Sequence, residues 1–345
     1  MTQSGIYFVY GLCIMFYSMM AWFFLHKNRE TLSRLVAALM ILLVVQCVKD
    51  LFFISPGYSA DEYLWMVVTS VDMVAVPLYA FILMELCSPG SVTARTIVVH
   101  EIPFVALPLL FVATQSVVLY FADVVWAAVY GTYYASWTIM AIPRYHRRLK
   151  QRFSYVENIN LNWLRTIMLS FYAILTLWFV DCVVIDLGIE ALYMLGSLVI
   201  WIFIGYFIYR HESVIDELCE PMTADLPSPV TEAVGQDALA ERIRVLFEAE
   251  RVFLNPHLKL SDVASMTNSN RTYVSRFFNN SHGKTFFEFV NEYRVNYAKE
   301  LLKTTTEKLE VVAEMSGFNS RQSFHRVFSK LTGCTPEKYR SAATI

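Results

Sequence analysis

The sequence predicts an all-α protein in two parts, a seven-helix transmembrane bundle over residues 1–212 and a smaller domain with two helix-turn-helix units over residues 236–345. Of the 345 residues, 56% are apolar and 17% are charged, and the apolar excess lies before residue 210. That first part contains seven stretches long enough to cross a bilayer. Near the C-terminus one motif occurs twice, as NRTYVSRFF from residue 270 and as SRQSFHRVF from residue 320.

The seven apolar stretches are the predicted transmembrane spans. They cover about residues 5–25, 34–54, 62–86, 96–114, 117–142, 163–185 and 190–209. The fourth contains Glu101, Pro103 and Pro108, which disfavour a lipid-facing helix, so a six-span bundle is the alternative. The N-terminal residues MTQSG include no basic residue, so we expect the first stretch to be retained as a span rather than cleaved as a signal peptide.

Basic residues between the spans predict the orientation of the bundle. They are confined to the first, third and fifth connections, at Lys27, Arg29, Arg34, Arg95, Arg144, Arg147, Arg148, Lys150, Arg152 and Arg165. Loops rich in Lys and Arg stay in the cytoplasm. The sequence therefore predicts an N-terminus outside the cell and, with seven spans, a C-terminal part in the cytoplasm.

An acidic segment separates the two parts. Residues 211–256 contain 10 acidic and 3 basic residues, and Pro221, Pro227 and Pro229 interrupt any continuous helix. We place a flexible linker at residues 213–235, followed by an amphipathic helix that opens the last domain. A plain spacer is the simple interpretation, while the acidity also disfavours approach to an anionic membrane surface.

The two copies of the C-terminal motif each predict a helix, a tight turn and a second helix. Asn270 and Ser320 stand where they can cap the second helices. Ser261 stands where it can cap the first helix of the first copy. In the second copy Gly317 supplies the positive φ that a sharp turn between helices needs.

Helical spacing divides the residues of the second helices between a core face and an outer face. The apolar residues recur every three or four positions and are expected to face the core. The outward set is the candidate DNA-binding site: Arg271, Thr272, Ser275, Arg276, Arg321, Gln322, His325 and Arg326.

A longer segment now carries a resemblance. GFNSRQSFHRVFSKLTGCTPEKYR, from residue 317, resembles the signature of the AraC/XylS family of bacterial transcription regulators. NRTYVSRFFNNSHGKTFFEFVNEYR, from residue 270, resembles the preceding half of that domain, with Asn270 where Ser is commoner. The resemblance covers about residues 237–342. It implies an all-helical DNA-binding domain whose two units are joined by a long helix, here about residues 285–302, and whose recognition helices enter successive major-groove segments.

The resemblance also implies partners and a location. Double-stranded DNA and RNA polymerase are the expected partners, and a homodimer is left open. Combined with the charge pattern, it predicts a multi-pass protein of the bacterial cytoplasmic membrane. From residue 257 to the end there are 13 basic and 8 acidic residues, which favours a polyanion. A charged outer face is often only solvated, but two such units in tandem favour DNA.

No feature of the sequence indicates an enzyme. There is no Gly-rich phosphate loop, no catalytic motif and no metal-ligand spacing, so we expect no catalytic activity, cofactor or metal. The six Cys residues do not form a framework, and most fall inside predicted spans. A redox pair of Cys47 and Cys182 is the alternative.

Ionisable residues inside the predicted spans are the candidate ligand contacts of the membrane part. They are Lys49, Asp72, Asp123 and Asp181, and such residues usually face a bundle interior or a water-filled cavity. They are expected to line an outward-opening pocket for a small polar or amphiphilic ligand, with Lys49 as the counter-ion of an acid. The alternative is that an intramembrane Lys and Asp pair for packing alone.

The sequence therefore predicts a membrane-anchored regulator with a sensing bundle and a DNA-binding output. A membrane receptor or transporter whose C-terminal domain docks a protein rather than DNA is the rival hypothesis. In a third hypothesis, the membrane part is an anchor that binds no ligand.

Overall fold

A computed structural model of the chain describes residues 3–27, 31–53, 62–157, 159, 161–183, 187–210, 229–281 and 283–343. The chain divides into two compact units. The first is Met1–Tyr145 with Leu161–His211, and the second is His146–Asn160 with Glu212–Ile345. The described residues form helices and one isolated β-bridge, so the all-α prediction is confirmed for that part of the chain.

The first unit is built from long apolar helices. They are α1 (Gln3–Lys27), α2 (Thr31–Phe53), α3 (Glu62–Asp72), α4 (Val76–Cys87), α5 (Ala94–Thr114), α6 (Val117–Arg152), α7 (Asn162–Val183) and α8 (Leu187–Arg210). Helix α1 packs on α2 and α8, and α7 packs on α8. The division between the two units falls inside α6, so this helix contributes its last residues to the second unit.

Six described segments are long and apolar enough to cross a membrane. They are Ser4–His26, Thr31–Phe52, Glu62–Cys87, Ala94–Thr114, Val117–Arg152 and Gly188–Ile208. Each of the seven predicted spans coincides with a helical segment, but α7, the predicted sixth span, is not among these six, and several of its side chains lie outside the described residues. The count of seven therefore stays a prediction. The fourth stretch, which the sequence made doubtful, is among the six.

The third predicted span is interrupted at its centre. Helix α3 ends at Asp72, a 3-10 turn follows over Met73–Ala75, and α4 begins at Val76. Pro77 lies in the first turn of α4, where its missing N–H removes a helical hydrogen bond. The N–H of Val76 donates to Met73 instead of to Asp72, as an α-helix would require.

The second unit contains the two predicted helix-turn-helix units. Its helices are α9 (Pro229–Glu248), α10 (Leu260–Met266), α11 (Arg271–Arg276), α12 (Phe286–Thr304), α13 (Leu309–Met315), α14 (Arg321–Thr332) and α15 (Pro336–Ala343). Helices α10 and α11 form the first helix-turn-helix unit, and α13 and α14 form the second helix-turn-helix unit. A π-helical turn, Phe277–Ser281, follows α11 directly.

Helix α12 joins the two halves and contributes to both cores. Thr285 accepts a hydrogen bond from the N–H of Glu288 at 3.3 Å, and Glu288 accepts one from the N–H of Thr285 at 3.0 Å, a reciprocal cap. The first half of α12 packs with Val274 and Phe278, whereas its second half packs with Phe324. The predicted connecting helix of about residues 285–302 is confirmed.

The predicted domain boundaries, 1–212, 213–235 and 236–345, stay predictions, and the structure differs from them in two places. Helix α9 begins at Pro229, inside the predicted linker, because Pro is favoured in the first turn of a helix. The rest of the linker lies outside the described residues. The segment 146–160 belongs to the second unit rather than to the bundle, and no sequence pattern had indicated this.

Candidate nucleic-acid interface and membrane cavity

A buried hydroxyl closes the first helix of each helix-turn-helix unit. The Oγ of Thr267 donates to the carbonyl oxygens four and three residues earlier, at 2.8 and 3.2 Å. Ser316 makes the same two bonds at 2.5 and 3.1 Å. Both side chains are almost completely buried. The repeat seen in the sequence is therefore also a repeat of hydrogen bonds.

The residue after each hydroxyl has a left-handed backbone. It is Asn268, with φ of 48°, in the first turn and Gly317, with φ of 82°, in the second, which confirms the positive φ predicted for Gly317. A Cβ atom at Gly317 would lie 2.6 Å from the carbonyl oxygen of Phe253. Only glycine therefore fits there without a shift of the neighbouring backbone.

The predicted caps of the second helices are confirmed. Asn270 Oδ1 accepts from the N–H of Thr272 at 2.9 Å, and Ser320 Oγ accepts from the N–H of Ser323 at 3.2 Å. The predicted cap at Ser261 is wrong, because α10 begins at Leu260, so Lys259 and not Ser261 stands at the cap position. There the carboxylate of Asp262 accepts from the N–H that precedes the helix, at 2.8 Å.

The first recognition helix presents fewer residues than the sequence predicted. Arg271, Thr272 and Arg276 are partly exposed, but only 5% of Ser275 is exposed. Ser275 lies three residues before Phe278, hence on the same side of the helix, and its Oγ accepts from Asn279 Nδ2 at 3.1 Å. The prediction that Ser275 faces outward is therefore wrong.

The second recognition helix is the more exposed of the two. Arg321, Gln322 and Arg326 are exposed, and His325 is partly exposed. Arg321 contacts Glu310 at 2.5 Å and Glu337 at 3.8 Å, and Nε2 of His325 lies 3.5 Å from Glu337. The pKa values of Glu310 and Glu337 are both lowered, chiefly by a hydrogen bond with each residue's own backbone. Arg321 lowers the pKa of Glu310 further, and Thr335, His325 and Arg321 lower that of Glu337.

A buried arginine on α12 was missed by sequence reasoning. Arg294 is 1% exposed, and its pKa is lowered to about 9 by burial, which Glu157 partly opposes. Its Nε donates to the carbonyl oxygen of Phe253 and one Nη to that of Asn255, both at 2.7 Å. One signal could have found it, because Arg294 lies at helical spacing between Val290 and Ala298 on the core face.

The first unit contains a cavity of about 430 Å³. The polar side chains on its wall are Gln46, Asp50, Asp72, Thr69, Glu190 and Ser197, and the aromatic ones include Trp65, Tyr79, Tyr134, Trp178 and Trp201. Of the four ionisable residues predicted to contact a ligand, Asp72 lines it, whereas Lys49 and Asp123 are not among the described lining residues. A cavity of this size accommodates a small organic molecule.

Lys49 and Asp72 form a direct ion pair. Lys49 Nζ lies 2.6 Å from both carboxylate oxygens of Asp72, 3.0 Å from Asp50 Oδ1 and 3.1 Å from the carbonyl oxygen of Val68. The carbonyl oxygen of Asp72, freed at the helix break, accepts from Gln46 Nε2 at 2.9 Å. Two carboxylates therefore already neutralise Lys49, the residue that the sequence had suggested as the counter-ion of an acidic ligand.

The other two candidates lie elsewhere. Asp123 is fully buried and accepts a hydrogen bond from Ser70 Oγ at 2.6 Å. The side chain of Asp181 lies outside the described residues. No group of three or more His, Cys, Asp or Glu side chains within the described ranges could hold a metal ion.

The matched family is the helix-turn-helix domain, whose model covers residues 263–342, from within α10 to α15. The C-terminal region of this chain therefore carries a helix-turn-helix domain. The chain is similar to YfiF of Bacillus subtilis (strain 168), named an uncharacterised HTH-type transcriptional regulator, with 41% identity over 88 residues. The match covers 26% of this chain and 28% of YfiF, less than a third of either protein.

Two solved structures are similar to the C-terminal region of this chain. One is a transcriptional regulator from Chromobacterium violaceum, described by its AraC-type DNA-binding domain, with 22% identity and a TM-score of 0.28 over 32% of this chain and 96% of that one. Another is the C-terminal domain of AraT, a response regulator from Geobacillus stearothermophilus. It has 26% identity and a TM-score of 0.27 over 34% of this chain and 88% of that one.

Proposed function

We propose that the protein is a membrane-anchored, sequence-specific DNA-binding transcription regulator of the AraC type. The observation that carries the proposal is the pair of helix-turn-helix units that share their turn hydrogen bonds and stand at the two ends of α12. Each unit presents basic side chains on its second helix, which suits contact with a major groove. RNA polymerase is the further partner that the AraC resemblance implies, and the proposal includes no catalytic step or cofactor.

Footprinting with the full-length protein in membranes tests DNA binding. Two protected regions about ten base pairs apart are expected if both units dock. Replacing Arg276 or Arg326 by Ala is expected to cost about 1–3 kcal/mol of binding free energy on the specific site. Arg244→Ala is the matched control, because Arg244 is an exposed arginine engaged by Glu241 on α9.

Different footprints would lead to different conclusions. A single protected turn would contradict docking by two helices. An equal loss of affinity on every sequence would show that the two arginines contact phosphates and not bases. Specific DNA binding that neither arginine affects, or none at all, would favour the rival hypothesis that the domain docks a protein.

The proposed topology places the N-terminus outside and the helix-turn-helix domain in the cytoplasm. The basic residues of the odd connections support it. A reporter that works only in the cytoplasm is expected to be active when it is fused after Arg210. A reporter that works only outside the cell is expected to be active when it is inserted near Gly57. Alkaline phosphatase activity from the fusion at Arg210 would overturn both the topology and the DNA-binding role.

The cavity in the first unit is proposed as a sensing pocket for an organic cation with an apolar body. Three carboxylates, Asp50, Asp72 and Glu190, line it, while Lys49 is the cation that the structure places beside two of them. Aromatic walls favour a cation over an anion. A ligand can change DNA binding only if its affinity differs between two arrangements of the bundle.

Asp72→Asn tests the pocket, because it removes the charge and keeps the shape. The variant is expected to fix or bias transcription of the target genes at an unchanged level of protein in the membrane. Lys49→Met is expected to change the same quantity, transcription of the target genes. In the double variant the two effects are expected to be non-additive. Glu62→Gln on the same helix is the control. Regulation by both single variants identical to that of the parent would favour the anchor hypothesis.

A further inference from the structure

The segment between α6 and α7 is built into the second unit. Phe153 forms an antiparallel bridge with Lys259. Both the N–H and the Oγ of Ser154 donate to the carbonyl oxygen of Leu258, at 3.1 and 2.7 Å. Phe153 and Ser154 are each 1% exposed, and Tyr155 is 5% exposed. These three residues are as buried as the core of the helix-turn-helix units.

The buried guanidinium of Arg294 is completed by this segment. One Nη donates to the carbonyl oxygen of Ser154 at 3.1 Å, and the other to its Oγ at 3.0 Å. Nδ2 of Asn291, one turn earlier on α12, donates to the same carbonyl oxygen at 3.1 Å. A buried arginine is tolerated only when its N–H groups find acceptors. Without Ser154, two of the four hydrogen bonds described for Arg294 would be lost.

The same guanidinium reaches both helix-turn-helix units. It bonds the carbonyl oxygens of Phe253 and Asn255, in the turn that leads into α10. It also lies 5.8 Å from the ring centroid of Phe318, in the turn of the second unit. A displacement of Ser154 therefore acts on a side chain that contacts the approach to one recognition helix and the turn before the other.

We propose that residues 153–155 are an intramolecular docking segment, through which the chain between α6 and α7 holds the helix-turn-helix domain at the site formed by Leu258, Asn291 and Arg294. The domain is then held to the bundle by two connections, the segment before α9 and this docked segment. The inference rests on the proposed membrane location, because the docked segment continues directly into helices of the bundle.

A cleavage experiment on the full chain tests the proposal. A protease site is inserted within residues 213–228, the chain is produced in membranes, and the membranes are cleaved and pelleted. The C-terminal fragment is expected to stay in the pellet. Replacing residues 153–155 by three glycines is expected to raise the ratio of soluble to pelleted fragment at least tenfold. Arg148→Ala, at an exposed position on α6, is the control and is expected to retain the fragment.

Each outcome of the cleavage experiment supports or contradicts either the membrane location or the docking of the segment. If the uncleaved chain does not sediment with membranes, the proposed membrane location fails. If it sediments but the cleaved parent fragment is released, the docking proposal fails and the proposed function stands. Retention of the fragment by the triple-glycine variant would also overturn docking, since the fragment would then be held in another way.

A cysteine pair provides a second test that does not remove the segment. The bridge between residues 153 and 259 places Tyr155 opposite His257, and their ring centroids are 5.0 Å apart. Facing residues on antiparallel strands are close enough for a disulfide. Tyr155→Cys with His257→Cys is expected to form a cross-link under mild oxidation in membranes, visible as a mobility shift that the single variants lack. No shift would contradict docking.

Discussion

The two helix-turn-helix units share their turn hydrogen bonds but differ in what surrounds them. The first turn spans residues 267–270 and the second residues 316–320, so the second is one residue longer. The first recognition helix ends at Arg276 and continues as a π-helical turn, whereas the second runs from Arg321 to Thr332 as one α-helix. A sequence repeat therefore preserves the bonds that make the bend and not the helix that follows it.

The second helix-turn-helix unit also packs more closely against its neighbours. Gly317 packs against the backbone at Phe253 and Leu254, and Arg321 is engaged by Glu310 and Glu337. We therefore expect the turn of the second helix-turn-helix unit to tolerate less change than the turn of the first. Substitutions at the turn glycines, at the two caps and in the ion pair of Arg321 are expected to test this difference with decreasing effect.

The largest effect is expected for Gly317→Ala. The new Cβ would meet the carbonyl oxygen of Phe253 at 2.6 Å while φ is 82°, so strain and overlap together are expected to destabilise the domain by about 3 kcal/mol. Gly333→Ala has a similar φ of 76° but open space around it and is expected to cost only about 1 kcal/mol. Pulse proteolysis of the solubilised chain measures both, and equal losses would contradict the close packing.

A smaller effect is expected at the two caps. Asn270→Ala and Ser320→Ala each remove a side-chain acceptor, which is expected to cost about 1 kcal/mol. The short α11 has fewer internal hydrogen bonds to compensate, so hydrogen exchange of its backbone amides should accelerate more than that of α14. Asn270→Ser keeps a capping oxygen and should change little. Greater loss of protection in α14 would reverse the comparison.

The smallest effect concerns the ion pair of Arg321. Glu310→Gln removes one carboxylate that competes with DNA for this side chain, and exposed ion pairs of this kind contribute little to stability. Affinity for the specific site is expected to rise about twofold to fivefold at low salt and less at high salt. Glu314→Gln, an exposed change on the same helix, is the control. Unchanged affinity would show that Arg321 does not contact DNA.

The sequence was sufficient for elements whose signals are local. The family resemblance placed α12. Apolar spacing of three and four residues located α14, Ser320 marked its start, and Gly317 marked the turn. These features depend on neighbours within one helical turn, so a single sequence contains them. The outward position predicted for Ser275 was wrong because Ser275 lies on the same side of the helix as Phe278, where its Oγ accepts from Asn279 Nδ2.

The features that the sequence did not predict depend on distant partners. Ser154 and Arg294 are 140 residues apart, and no periodicity connects the segment between α6 and α7 to α12. Likewise, the ionisable residues of the predicted spans could be recognised, but the ion pair of Lys49 with Asp72 joins two different helices, α2 and α3.

The order of synthesis gives the contact between Ser154 and Arg294 a further consequence. The ribosome makes Ser154 first and reaches Arg294 140 residues later, a delay on the order of 10 s at usual rates of translation. During that interval Phe153 and Tyr155 are already made but their binding site does not exist. A cell must therefore keep these two aromatic residues of the nascent chain from other partners until its last domain has been translated.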